Sequence, residues 1–205
     1  MLEGRIMTKT PKTLNQKDAV TLIQALERSQ GTFGKQRRGL RNKLIGLLML
    51  DCGLRVGELV LLKINDLIIN CHSVESVLIR AEIAKRNHER IVPLTARTQI
   101  AITQMYLHRW KIECSNYDAW GFYSKDNSRH ITTRQVERII LAAAMWSLHR
   151  PIFPHMLRHT FASRLMRITN ARVVMELLGH KNLSSTQVYC HPNSDDLKDA
   201  VRGLE

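Results

Sequence analysis

Acidic residues are in short supply in this sequence. Eighteen Asp and Glu stand against 31 Lys and Arg, a formal net charge of +13 with a pI near 10.1. Such an excess argues against cationic partners and calls for a polyanion or an anionic surface. Long apolar runs are missing too: no stretch approaches the ~18 residues that a membrane-spanning helix needs. The opening MLEGRIMTKT has no apolar core behind its charges, so it does not read as a secretory signal. Cysteine is sparse. Cys52, Cys71, Cys114 and Cys190 lie far apart without a CxxC pair, which disfavours a disulfide framework and suits free thiols in a reducing, cytoplasmic compartment. No internal repeat and no low-complexity tract is found. What is present is 205 residues, 44% of them hydrophobic. That is enough for one globular domain with a real core.

Periodicity predicts a mainly helical chain. A helix is expected over 13–28 with Leu14, Val20, Ile23 and Leu26 on its apolar face, then a glycine-containing basic loop over 31–39. An apolar helix (Leu40, Leu44, Leu47, Leu48, Met49) ends near Gly53, and a short one follows over 55–62. The runs 66–71, 76–82 and 89–93 are β-prone and separated by polar turns, which suggests a small three-stranded antiparallel sheet. Further helices are expected over 95–111, from Thr132 or Thr133 to about 147, from Pro154 past Met166, over 171–178 between Asn170 and Gly179, over 184–189 and over 194–202. The class is α+β, mainly α.

Four clusters carry chemistry. In Cys52-Gly-Leu-Arg-Val-Gly-Glu-Leu, Arg55 opens a helix beside free backbone N–H groups, a good place for a phosphate, and Glu58 lies within salt-bridge spacing of it. A plain surface ion pair is the commoner outcome of that spacing. In Ile83-Ala-Lys-Arg-Asn-His-Glu-Arg-Ile-Val-Pro-Leu, Lys85 and Arg86 sit at a turn between two strands, where most lysines are merely solvated. In Pro154-His-Met-Leu-Arg-His-Thr, His155 and Arg158 are three apart on one helix face, in surroundings where an arginine is costly to bury without an anion. Finally His180 follows a helix stop, and Tyr189 comes nine residues later in Gln187-Val-Tyr-Cys-His. Together these supply two arginines, a lysine, two histidines and a tyrosine, a set able to attack a phosphodiester in line without a metal. Tyrosine is a covalent nucleophile whose pKa of about 10 must be offset. Arginines offset it and neutralise the charged transition state, and a lysine or histidine protonates the leaving oxygen.

GLRVGEL, the lysine before ERIVPL, HMLRHTFASRL, LLGH and QVYCH resemble, in that order and spacing, the tyrosine recombinase (phage integrase) family. The resemblance runs from about Thr13 to Leu204 and implies the family's catalytic domain. By it Arg55 and Arg158 clamp the scissile phosphate, Lys85 is the general acid for the 5′-oxygen, His155 and His180 complete the proton network, and Tyr189 is the nucleophile. Glu58 stands behind the first arginine, while Arg134, Lys85 and Arg86 contact DNA. It implies site-specific cutting and rejoining of double-stranded DNA through a 3′-phosphotyrosine, in integration, excision, inversion or resolution, with no cofactor and neither metal nor ATP. It also implies a homotetramer on two DNA sites, DNA-bending accessory proteins, and a nucleoid-associated cytoplasmic protein. Residues 1–12 read as an extension and 13–205 as the catalytic domain. The family's usual N-terminal core-binding domain is expected to be absent, as in a shortened member or the small fimbrial-switch invertases.

Three other readings compete. A zinc site could draw on His155, His159, His180, Cys190 or His191, since HxxxH is a ligand spacing on a helix. It lacks an HExxH glutamate and leaves Arg55, Lys85 and Tyr189 unused. A DNA-binding module without catalysis, or an inactivated relative, leaves the intact Arg, Lys, His, Arg, His, Tyr set unexplained. A type IB topoisomerase resembles the same chemistry but fits the short length and the LGH-to-tyrosine spacing less well. Beyond Tyr189, Leu197, Ala200, Val201 and Leu204 form a narrow apolar stripe that must pack on something, in its own domain or on a neighbour.

Overall fold

A computed structural model describes residues 13–28, 33–84, 87–114, 116–124 and 128–179. Lys85, Arg86, His180 and Tyr189 lie outside these residues, as do the helices expected over 184–189 and 194–202.

The first helix, α1 (Gln16–Glu27), begins where Asn15 Oδ1 accepts a hydrogen bond from the Asp18 N–H at 2.7 Å. Leu22, Ile23 and Leu26 face inward, whereas Val20, expected on that face, is turned out. The second, α2 (Phe33–Leu50), is the hub of the molecule. Leu44, Ile45, Leu47, Leu48, Met49 and Leu50 are all buried, because α1, α4 (Ala96–Met105), α6 (Thr133–Leu148) and α7 (Pro154–Met166) pack around it. It starts at Phe33, within the segment expected as a basic loop. The Arg37 Nη1 donates to Glu113 Oε1 at 2.7 Å, and Gly39 is buried. One glycine costs a helix only about 1 kcal/mol, too little to break a turn so anchored.

Gly53 redirects the chain after α2. Its φ is +63°, and the Leu54 N–H returns to the Leu48 carbonyl at 3.1 Å. The short α3 (Val56–Val60) follows, with Arg55 as its N-cap residue.

The expected three-stranded sheet is divided into two antiparallel ladders among the described residues. Run 66–71 is split: β1 (Ile68–Ile69) turns through Asn70 and Cys71, both at positive φ, into β2 (His72–Ser73). Positive φ at both central residues is the requirement of a tight hairpin, and Asn tolerates it. β3 (Ser76–Ile79) pairs with β4 (Arg90–Pro93) in the register Ile79↔Arg90. Lys85 and Arg86 therefore belong to the connection between these two strands.

After β4 comes α4, capped by Thr95. It runs into a single π-helical turn at Tyr106–Trp110 and closes with α5 (Lys111–Glu113). The start of α6 is a reciprocal cap: Thr132 Oγ1 accepts from the Gln135 N–H and Gln135 Oε1 accepts from the Thr132 N–H. Pro154 opens α7 in its first turn. The last described helix, α8 (Ala171–Leu178), has Asn170 as its cap and stops at Gly179, φ +60°. Its inward residues Val174 and Leu178 join Phe161 and Ala162 of α7 in a small apolar cluster beside the main core.

Candidate active site

Three backbone carbonyls at the end of α8 organise the site. Each accepts from a different arginine. Arg90 Nε donates to Leu177 O at 2.9 Å, Arg158 Nη2 to Leu178 O at 2.7 Å, and Arg55 Nη2 reaches Gly179 O at 3.4 Å. The last carbonyls of a helix have no partner within it and carry its negative dipole end, so cations gather there. These three come from β4, α7 and the N-terminus of α3, remote in sequence.

Arg158 is nearly buried on α7, and its Nη1 also donates to Gly53 O. Its guanidinium thus bridges the turn after α2 and the end of α8. Gly53 is required there twice over: a left-handed backbone disfavours a side chain, and a Cβ would lie 2.3 Å from the Phe161 ring. Arg55 and Arg158, chosen from sequence as a pair, are brought to the same place.

Glu58 joins Arg55 as expected, and more tightly than a surface pair. Its Oε2 accepts from the Arg55 backbone N–H at 2.8 Å and its Oε1 from Arg55 Nη1 at 2.8 Å. The carboxylate is 2% exposed. Both its oxygens are also held by Arg90, Nη1 to Oε1 at 2.9 Å and Nη2 to Oε2 at 2.7 Å. Burial alone would raise the carboxyl's pKa. The hydrogen bonds and charge of Arg90, followed by those of Arg55, outweigh it and hold Glu58 below the ordinary carboxylate range.

Arg90 is the residue that sequence reasoning missed. One signal was available. Along β4 the inward positions alternate, and the phase that buries Val92 buries Arg90.

His155 is exposed at the start of α7. Its ring stacks on Phe153 at 5.9 Å and meets His159 edge-on at 5.9 Å. Partial burial first, then the neighbouring His155 and Arg158, lower the pKa of His159 and favour its neutral form. Among the described residues no group of three His, Cys, Asp or Glu is placed to hold a metal. The zinc reading therefore turns on His180, Cys190 and His191, outside them. Arg134 is exposed on the first turn of α6, which packs on α3. Lys85, Arg86, His180 and Tyr189 lie outside the described residues; in the sequence His180 directly follows Gly179.

A family model described as the phage integrase family matches residues 12–195. Tyrosine recombinase XerD of Listeria monocytogenes is 32% identical over 196 residues, covering 94% of this chain and 62% of that protein. Tyrosine recombinase XerC of Bacillus pumilus is 40% identical over 167 residues, or 78% of this chain and 52% of the relative. The chain thus spans about three fifths or less of the length of these relatives. Among solved structures, a XerA recombinase superposes with a TM-score of 0.75 at 26% identity, over 96% of this chain and 66% of that one. A XerH site-specific recombinase bound to its difH substrate in a pre-cleavage complex gives a TM-score of 0.75 at 22% identity, over 98% and 56%. At that identity the second likeness is one of fold alone.

Proposed function

The chain belongs to the phage integrase family, and from that premise we propose that it cuts and rejoins double-stranded DNA through a covalent bond between Tyr189 and a 3′-phosphate. The observation that carries this reading is the convergence of Arg55 and Arg158 on the end of α8, one residue before His180. Two guanidiniums so placed can grip the non-bridging oxygens of one phosphate and take up the charge that builds as it becomes five-coordinate.

In this scheme the Tyr189 oxygen attacks phosphorus and the bond to the 5′-oxygen breaks. Lys85 hands a proton to that leaving oxygen, and His155 and His180 hold and move protons around the phosphate. The phosphotyrosyl ester conserves the energy of the broken bond, so a 5′-hydroxyl from a second strand reverses the step without ATP. The positive charge comes from side chains, so the reaction runs without a metal. Arg134, Lys85 and Arg86 hold the DNA backbone. Four copies act on two sites, assisted by DNA-bending proteins, and the apolar stripe at Leu197, Ala200, Val201 and Leu204 docks on a neighbouring copy.

The test is incubation with nicked duplexes carrying candidate sites, read as a protein–DNA band on a denaturing gel in EDTA. Tyr189→Phe should keep DNA binding and lose the band. An adduct that survives this change moves the nucleophile elsewhere. Loss of cleavage in EDTA, restored by zinc or magnesium, favours the metal reading. Lys85→Ala should cleave normal DNA poorly and recover on a duplex with sulfur at the 5′-bridging position, because a thiolate leaves without a proton.

A further inference from the structure

The buried pair of Arg90 and Glu58 has no place in the scheme above. Arg90 is 1% exposed at its side chain and therefore cannot touch DNA. Every bond it makes is internal: two parallel N–H donors to the two oxygens of Glu58, and Nε to Leu177 O. The end of α8 is pressed against it, with the position of a Gly179 Cβ only 3.2 Å from Arg90 Cδ.

Charge accounts for the arrangement. Arg55 shares Glu58 with Arg90. Were Arg90 absent, Glu58 would be a buried carboxylate with Arg55 as its cation, and the pair would be neutral. A carboxylate and a phosphate compete for the same guanidinium fork. With Arg90 present, both carboxylate oxygens are matched by a partner that never leaves the interior. Arg55 contributes one Nη to Oε1, reaches Gly179 O only at 3.4 Å, and remains 24% exposed.

We propose that Arg90 is a positioning residue for strand cleavage: it neutralises Glu58 inside the fold, so that Glu58 orients Arg55 without cancelling the charge Arg55 presents to the scissile phosphate. The inference rests on the reading of Arg55 as a phosphate ligand. It also explains why arginine occupies the position: a lysine could supply the charge, but its single nitrogen cannot span both Glu58 oxygens and Leu177 O as the Nε, Nη1 and Nη2 of a planar guanidinium do.

The test compares cleavage of an ordinary site with one whose scissile phosphate is a methylphosphonate, which is neutral and needs less positive charge. In Arg90→Gln, cleavage of ordinary DNA should fall at least about tenfold, and the ratio of methylphosphonate to phosphate rates should rise above that of the unaltered protein. In Glu58→Gln, which adds a net positive charge, that ratio should fall. In Glu58→Gln/Arg90→Gln, where the cancelling pair is removed together, it should return. If Arg90→Gln does not fold, the other two variants carry the comparison. Ratios that ignore these charges, or a double variant no better than Arg90→Gln, overturn the proposal and leave Arg90 a structural residue. If the unaltered protein forms no covalent adduct, it is the proposed function that falls. The Arg90 inference is then read by titrating inorganic phosphate against the Arg55 Nε–H resonance. Arg90→Gln should weaken that binding and the double variant restore it, and unchanged binding would overturn the inference.

Discussion

At the scale of single residues, Glu58 is where stability and chemistry meet. Breaking a buried ion pair by removing one partner leaves the other charge uncompensated and costs about 3–5 kcal/mol, so Glu58→Gln should lower the urea midpoint markedly at neutral pH. Its pH dependence has a definite sign. A carboxyl whose folded pKa is depressed adds stability above its unfolded value and loses it as pH falls through the folded value. Urea midpoints followed from about pH 7 to about pH 3 should therefore fall more steeply for the unaltered protein than for Glu58→Gln. Parallel curves would mean that Glu58 is not the group responsible. Gly53→Ala should cost at least about 1–2 kcal/mol from left-handed backbone alone, with more from the Phe161 ring. It should also slow cleavage beyond what its stability predicts, since Gly53 O accepts from Arg158. Arg55, Glu58 and Arg158 were legible in sequence because each sits in a short motif at a helix start or on a helix face. Arg90 was not, because alternation along a four-residue strand has two phases, and only the pairing with β3 and the contact with α8 decide which one is buried.

At the scale of elements, α8 is the exposed flank of the site. Its inward side chains Val174 and Leu178 join Phe161 and Ala162 in a cluster apart from the main core, and arginine bonds hold its end. Few apolar contacts mean a low cost of local opening. Hydrogen exchange should therefore show α8 amides exchanging well before those of α1, α2 and α6. Leu178→Ala should quicken α8 exchange while leaving α2 protected. Equal effects in both would make α8 part of the global core. This helix was readable to its last residue, since Asn170 and Gly179 mark its ends by local chemistry. The start of α2 was not. The residues before Leu40 look like a basic loop until Glu113, far along the chain, supplies a partner for Arg37. The antiparallel pairing of 76–79 with 90–93 was legible, but the split into two ladders was not, because it depends on two residues taking positive φ, which side-chain alternation does not report.

At the scale of the whole molecule, the net charge of +13 predicts how DNA would be held under the proposed function. Binding driven by phosphates releases counterions, and a protein making several such contacts loses about 10³–10⁵ in affinity between about 50 and 200 mM salt. Fluorescence anisotropy with a labelled duplex should show that steep fall, with a weaker slope in Arg134→Gln. Tight binding indifferent to salt would contradict it. The π-helical turn at Tyr106–Trp110 bears on the chain as a whole in another way. Such a turn houses one residue more than an α turn, so the helix on either side keeps its phase as though that residue had been spliced in. Leu107 and His108, both exposed, lie within it, while Trp110 is buried and Glu113 is bound to Arg37 beyond it. Deleting His108 should let the turn close as ordinary α-helix with Trp110 and Glu113 still facing their partners. A deletion at Ile102, inside regular helix, would instead rotate everything after it by about 100°. Length variation among descendants of this sequence should therefore be tolerated at this turn and purged from the regular helix beside it.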